Sequence, residues 1–162
     1  MLRRALIAGC AALLALGPAR ADLPAPIGPV LLVVVNRTGE EIALDRAALE
    51  KLPQESFNTT TIWTDGAQAF RGVRLATLMA ALGLKGRQIT LVAANGYRVQ
   101  RDAAGLQVDA ALLATSRNGK PMSLREKGPL WLVYDYDSDP MFRTEVSYAN
   151  SIWQLDRILF AD

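Results

Sequence analysis

The stretch that most constrains the fold of this 162-residue chain runs from Asn118-Gly119-Lys120-Pro121-Met122 to Lys127-Gly128-Pro129-Leu130-Trp131-Leu132-Val133-Tyr134. Asn and Gly tolerate positive φ and Pro fixes φ, so the first part reads as a turn. Leu130 to Tyr134 is a short apolar run bounded by Gly-Pro, the pattern of a strand covered on both faces. Between them lie Arg117, Lys120, Arg125 and Lys127, which either solvate a loop or form a site for a small anion or an acidic partner.

What precedes this stretch divides into a leader and one domain. Met1 to Ala21 reads as a secretory signal peptide: Arg3 and Arg4 supply the positive start, Ala5 to Leu16 an apolar run too short to span a bilayer, and Ala19-Arg20-Ala21 a cleavage site. Ile7-Ala8-Gly9-Cys10 is a weaker match to a lipoprotein box. A periplasmic address follows, with the mature chain starting at Asp22 and no membrane span. Residues 22–29 carry three prolines and a glycine and read as an extended lead-in. Residues 30–162 are long enough for a single domain with its own core.

The mature composition excludes several chemistries. Of eighteen basic residues three lie in the leader, which leaves fifteen against sixteen acidic ones and no electrostatic footprint for nucleic acid. Cys10 is the single cysteine and there is no histidine. A mature chain without them has no disulfide, thiolate metal site, Cys nucleophile or imidazole base.

Element signals alternate. Val30 to Val35 reads as a buried strand, Ile42 to Leu44 as its short return, and Asp45 as the cap of a helix from Arg46 to Leu52 that Pro53 stops. Ser56 to Trp63 alternates as a strand, with Phe57, Thr59, Thr61 and Trp63 on one face. Ala67 to Arg71 reads as another strand. Leu75, Leu78, Met79 and Leu82 form one face of a helix from Arg74 to Leu82, with Gly83 at its end. Gln88 to Ala94 and Tyr97 to Arg101 flank Asn95-Gly96, a strong hairpin signal. Val108 to Leu113 suits a short helix, Tyr136 to Asn150 a long polar segment, and Ser151 to Phe160 a closing strand. The sum is an α+β domain with mixed sheets and two or three short helices.

Four segments in order resemble the oxidoreductase molybdopterin-binding domain, the catalytic-domain fold of sulfite oxidase: Phe70-Arg71-Gly72-Val73-Arg74-Leu75, Ala94-Asn95-Gly96-Tyr97, the run from Leu113 through Gly128-Pro129-Leu130-Trp131, and Ser151-Ile152-Trp153-Gln154-Leu155. The small secreted members look most similar. The resemblance implies a molybdopterin cofactor and oxidoreductase chemistry. The family's metal is held by a Cys thiolate, and the matching interval, Asn58 to Phe70, has none; Thr59, Thr60 or Thr61 stands near that place. A threonine hydroxyl is a hard donor of high pKa and does not replace a thiolate.

The expectation is therefore a non-catalytic periplasmic ligand- or partner-binding module with no resident cofactor, the alternative being a molybdopterin-dependent oxidoreductase. The candidate pocket is Thr59, Thr61, Trp63 and Tyr97, with Tyr136 and Trp153 nearby and Arg117, Asn118 and Lys127 at its rim. Asp135, Asp137 and Asp139 alternate as in the start of a calcium loop, but Pro140 and Val146 stand where an EF-hand needs Gly and Glu.

Overall fold

A computed structural model describes residues 23–162, so the leader lies outside the described residues. Among the described residues the fold is mixed α+β, with two five-stranded sheets and three short α-helices. The first sheet has the order β2 (Glu41–Asp45), β1 (Val30–Val35), β10 (Leu155–Ala161), β5 (Gln88–Ala93), β6 (Arg98–Arg101). Its β1–β10 pair is parallel and the others antiparallel. The second has the order β3 (Glu55–Thr59), β4 (Gln68–Arg74), β7 (Leu112–Arg117), β8 (Lys120–Pro121), with β9 (Trp131–Val133) also pairing β7. Among the described residues no helix is long and apolar enough to cross a membrane.

The local reasons are those of the sequence at most positions. Asp45 caps α1 (Arg46–Glu50) by accepting from Ala48 N–H at 2.9 Å, and its other oxygen accepts from Ile27 and Gly28. One carboxylate thus ties the lead-in to the first helix. Gly83, at φ +63°, follows α2 (Leu75–Ala81). Asn118 and Gly119, at φ +52° and +75°, turn β7 back into β8.

Three expectations are corrected. The helix expected over Val108 to Leu113 is a turn followed by strand β7. Leu112, Leu113, Ala114 and Thr115 are all buried, because β7 lies inside the sheet between β4 and β9 and both its faces are covered, Leu113 by the main core and Leu112 and Ala114 by a second apolar cluster. A strand buried on both faces shows no alternation, so its apolar run looks like a short helix. The strand expected to reach Trp63 ends at Thr59: Thr60 N–H turns aside to Asp137 Oδ2 at 2.7 Å, and Thr61 and Thr64 join hydroxyls at 2.7 Å. The polar stretch Tyr136 to Asn150 contains α3 (Glu145–Asn150), capped by Thr144 on Ser147 N–H, so the third helix lies here.

The main core takes side chains from both sheets, including Leu32, Leu91, Leu113, Leu132 and Ile158. A second cluster of Phe70, Leu112, Ala114, Met122, Trp131 and Val133 fills the other face of the second sheet. The two sheets meet at an isolated antiparallel bridge between Trp131 and Trp153. Aromatic residues gather at that seam.

Candidate functional site

Trp63 is the hub. Its ring lies 5.7 Å from Trp153 and from Tyr148, 5.8 Å from Trp131 and 6.3 Å from Tyr136, every pair edge to face. This is the arrangement ring quadrupoles favour. The turn that ended β3 places Trp63 there, pinned by its own N–H on Thr61 Oγ1 at 3.1 Å. Trp131 is fully buried and donates its indole N–H to Ser151 O at 3.2 Å. Tyr136 is buried too and shares a 2.5 Å hydrogen bond with Ser151 Oγ.

Beside this cluster opens a cleft of about 330 Å³. Trp63, Tyr97, Tyr148 and Trp153 line it with rings, and Asn95 and Ser151 add polar edges. Four separate pieces of chain build it: the turn after β3, the β5–β6 hairpin, α3 and the segment before β10. Tyr97 stands half exposed at 51%.

The predicted pocket residues divide three ways. Trp63 and Tyr97 share the cleft. Thr59 is fully buried outside its lining, donating to Thr60 O at 3.3 Å and accepting from Asp137 N–H at 3.1 Å; Thr61 holds the Trp63 turn. Arg117 and Asn118 border a separate pocket of about 260 Å³ with Lys120, Pro121 and Met122. Glu126 also lines it, 4.0 Å from Arg117, so a carboxylate of the chain already occupies the place an anion would take. Lys127 reaches neither pocket's lining; its ammonium lies over the Trp153 ring, 4.2 Å from the centroid, and 5.7 Å from that of Trp131. Arg117 and Lys127 therefore do not share a rim. Tyr148 and Ser151 are absent from the predicted pocket: in sequence Tyr148 falls in the long polar segment and Ser151 at the start of the closing strand. The capping Thr144 followed by Glu145 was the available signal.

Asp135, Asp137 and Asp139 do not converge: Asp137 binds Thr60 and Arg143, while Asp139 caps a 3₁₀ turn on Met141 N–H. Among the described residues no three acidic side chains, with or without Cys, are placed to hold a metal. A protein-held molybdenum is no better served. All three hydroxyls of Thr59, Thr60 and Thr61 are engaged within the protein, and no sulfur stands in that interval. The residues present do not fit the metal.

Three carboxylates sit below their usual range. Asp45 is held down by the N–H groups of Ala48, Ile27 and Gly28; Asp137 by the Thr60 hydroxyl and N–H, then Arg143; Glu126 by the Ser123 N–H and hydroxyl, then Arg117 and Lys120. A depressed folded value means stability present above the ordinary value and lost as the pH falls through the folded one. Burial acts oppositely on Tyr136, pushing its phenol up to about 12 from 10.0. Its contribution is complete below pH 10 and is lost as the pH rises toward about 12. We expect a melting temperature flat near neutrality, falling below about pH 4 and again above about pH 10. Asp45→Asn should lower the neutral value and shallow the acid limb, as measured by thermal melts across pH.

No protein-family model matches the chain, and no curated protein matches it either. Among solved structures it is similar to the sulfane dehydrogenase SoxCD from Paracoccus pantotrophus, with a TM-score of 0.59 and 17% sequence identity. The match covers 81% of this chain but only 38% of that one, and it establishes a distant relationship of fold.

Proposed function

We propose that the protein is a non-catalytic periplasmic binding module, built on a sulfite-oxidase-type molybdopterin-binding fold, that takes a small organic ligand in the Trp63–Tyr97–Tyr148–Trp153 cleft. The observation that carries this reading is the cleft itself, a concave and mostly apolar site with a few polar groups at one side. The leader signature supports the address, and the four ordered motifs with the SoxCD fold likeness support the architecture. The engaged threonines at the expected metal position argue against catalysis. Folds persist when the chemistry of their relatives is gone.

The alternative, a molybdopterin-dependent oxidoreductase, rests on the motif resemblance. Protein purified from its native periplasm separates the two. Metal analysis is expected to find far less than one molybdenum per chain, and native mass spectrometry to find a small molecule released on denaturation. Stoichiometric molybdenum would overturn the binding-module reading. An acidic partner for Arg117 and Lys120 would have to displace Glu126, so the small-molecule cleft is the better supported site.

A further inference from the structure

We infer, building on the cleft just proposed as the binding site, that its ligand class is an organic cation: an alkylated or quaternary ammonium group seated against the rings of Trp63, Tyr97, Tyr148 and Trp153.

Charge is the first argument. The lining contains no Lys, Arg, Asp or Glu. An anion would meet no cation within the lining to neutralise it. A cation is attracted by the negative face of an aromatic ring. A quaternary ammonium also has apolar methyl groups and loses little hydration on entering such a site, so the absence of a carboxylate is no obstacle.

The second argument is that this ring cluster already holds an ammonium. Lys127 Nζ sits 4.2 Å from the Trp153 centroid and makes no ion pair with any carboxylate among the described residues. The chain thus uses one wall of the cleft as a cation platform without acidic help. The third argument is the direction of α3. Tyr148 and Ser151 come from its C-terminal end, where backbone dipoles leave a partial negative charge. In a six-residue helix that contribution is small, but its sign agrees with the rings.

Asn95 and Tyr97 fit the rest of such a ligand. Asn95 Oδ1 accepts from Tyr97 N–H at 3.0 Å, which leaves its amide N–H₂ to a hydroxyl or carbonyl on the ligand. Tyr97, half exposed, can settle over the seated group.

The test uses the mature full chain and two probes of nearly equal shape: choline, and its uncharged carbon isostere 3,3-dimethylbutan-1-ol, followed by tryptophan fluorescence. Choline should bind at least about tenfold more tightly than the isostere, because only choline carries the charge that the rings attract. Tyr97→Phe should keep that preference, because it keeps the ring face, and Tyr97→Leu should lose most of it while melting as wild type. Lys127→Gln should tighten choline severalfold by removing a like charge from the Trp153 wall. Equal binding of choline and the isostere would overturn the cation assignment and leave the cleft as an apolar pocket. Tighter binding of benzoate than of choline would also overturn it. If none of the three probes binds, the organic-cation class falls together with the choice of this cleft as the site.

Discussion

Gly72→Ala should cost more than about 4 kcal/mol and leave little folded protein at 37 °C, a loss well beyond that of an ordinary substitution. Gly72 lies on β4 where the β4–β7 register shifts, between Arg71 and Gly72. A Cβ there would be driven into the Leu113 carbonyl oxygen and would lie 2.8 Å from Ala114 Cα. Both obstacles are backbone of β7, which is fixed in turn by β9, so no side-chain rotation relieves the clash. The strands must separate, and they form the central pair of the second sheet. Gly39→Ala is the control. Gly39 has φ +83° but open space around it, so only conformational strain of about 1 kcal/mol is expected. Circular dichroism melts of the two variants should differ by far more than that; similar melts would mean that β4 and β7 can part without loss.

The same physics acts in two of the short motifs. Gly72 sits in the Phe70-Arg71-Gly72-Val73 segment and Gly128 in the Gly128-Pro129 segment. A Cβ on Gly128 would meet the Met122 carbonyl oxygen and lie 2.6 Å from Met122 Cβ. The close backbone approach that demands glycine at these positions shows only in the fold: the sequence reads the strand as ending at Arg71, whereas β4 runs on through Gly72 to Arg74. Turn chemistry was legible at Asn95-Gly96 and Asn118-Gly119, because a positive φ restricts which residues fit. What stayed hidden depended on partners distant in sequence. Strand β7 resembles a helix in sequence because both its faces are covered, Leu113 packing into the main core and Leu112 and Ala114 into the second cluster, with partners distant in sequence. Strand β3 ended early because Asp137, 77 residues on, takes the Thr60 N–H.

The candidate site shows the same division. Trp63 and Tyr97 both line the cleft, although Trp63 arrives by a turn and not by strand alternation. Basic residues close in sequence were expected to act together, yet β8 and the following 3₁₀ turn send them to different places. Lys127, in a left-handed conformation at φ +72° just after that turn, goes to the aromatic seam, and Arg117 pairs with Glu126. Spacing within eleven residues says little about direction once a tight turn intervenes.

Trp131→Ala is the second large loss, expected at about 3–5 kcal/mol because a fully buried ring is replaced by a cavity. The effect should extend to binding, although Trp131 does not line the cleft. Its ring meets Phe70 at 5.3 Å on one side, and Trp63 at 5.8 Å and Trp153 at 6.5 Å on the other. Two cleft walls thus rest on one residue of the second sheet. Its indole N–H also satisfies the Ser151 carbonyl, and Ser151 edges the cleft. Trp131→Phe separates the two roles. It keeps most of the apolar volume but leaves that carbonyl without its donor, a cost of about 1–3 kcal/mol. We expect Trp131→Phe to melt lower than wild type yet retain choline binding, and Trp131→Ala, assayed at low temperature where it is still folded, to lose it. Retained affinity in folded Trp131→Ala would show that Trp63 and Trp153 hold their positions without the buried ring, and that the seam between the sheets is not what shapes the cleft.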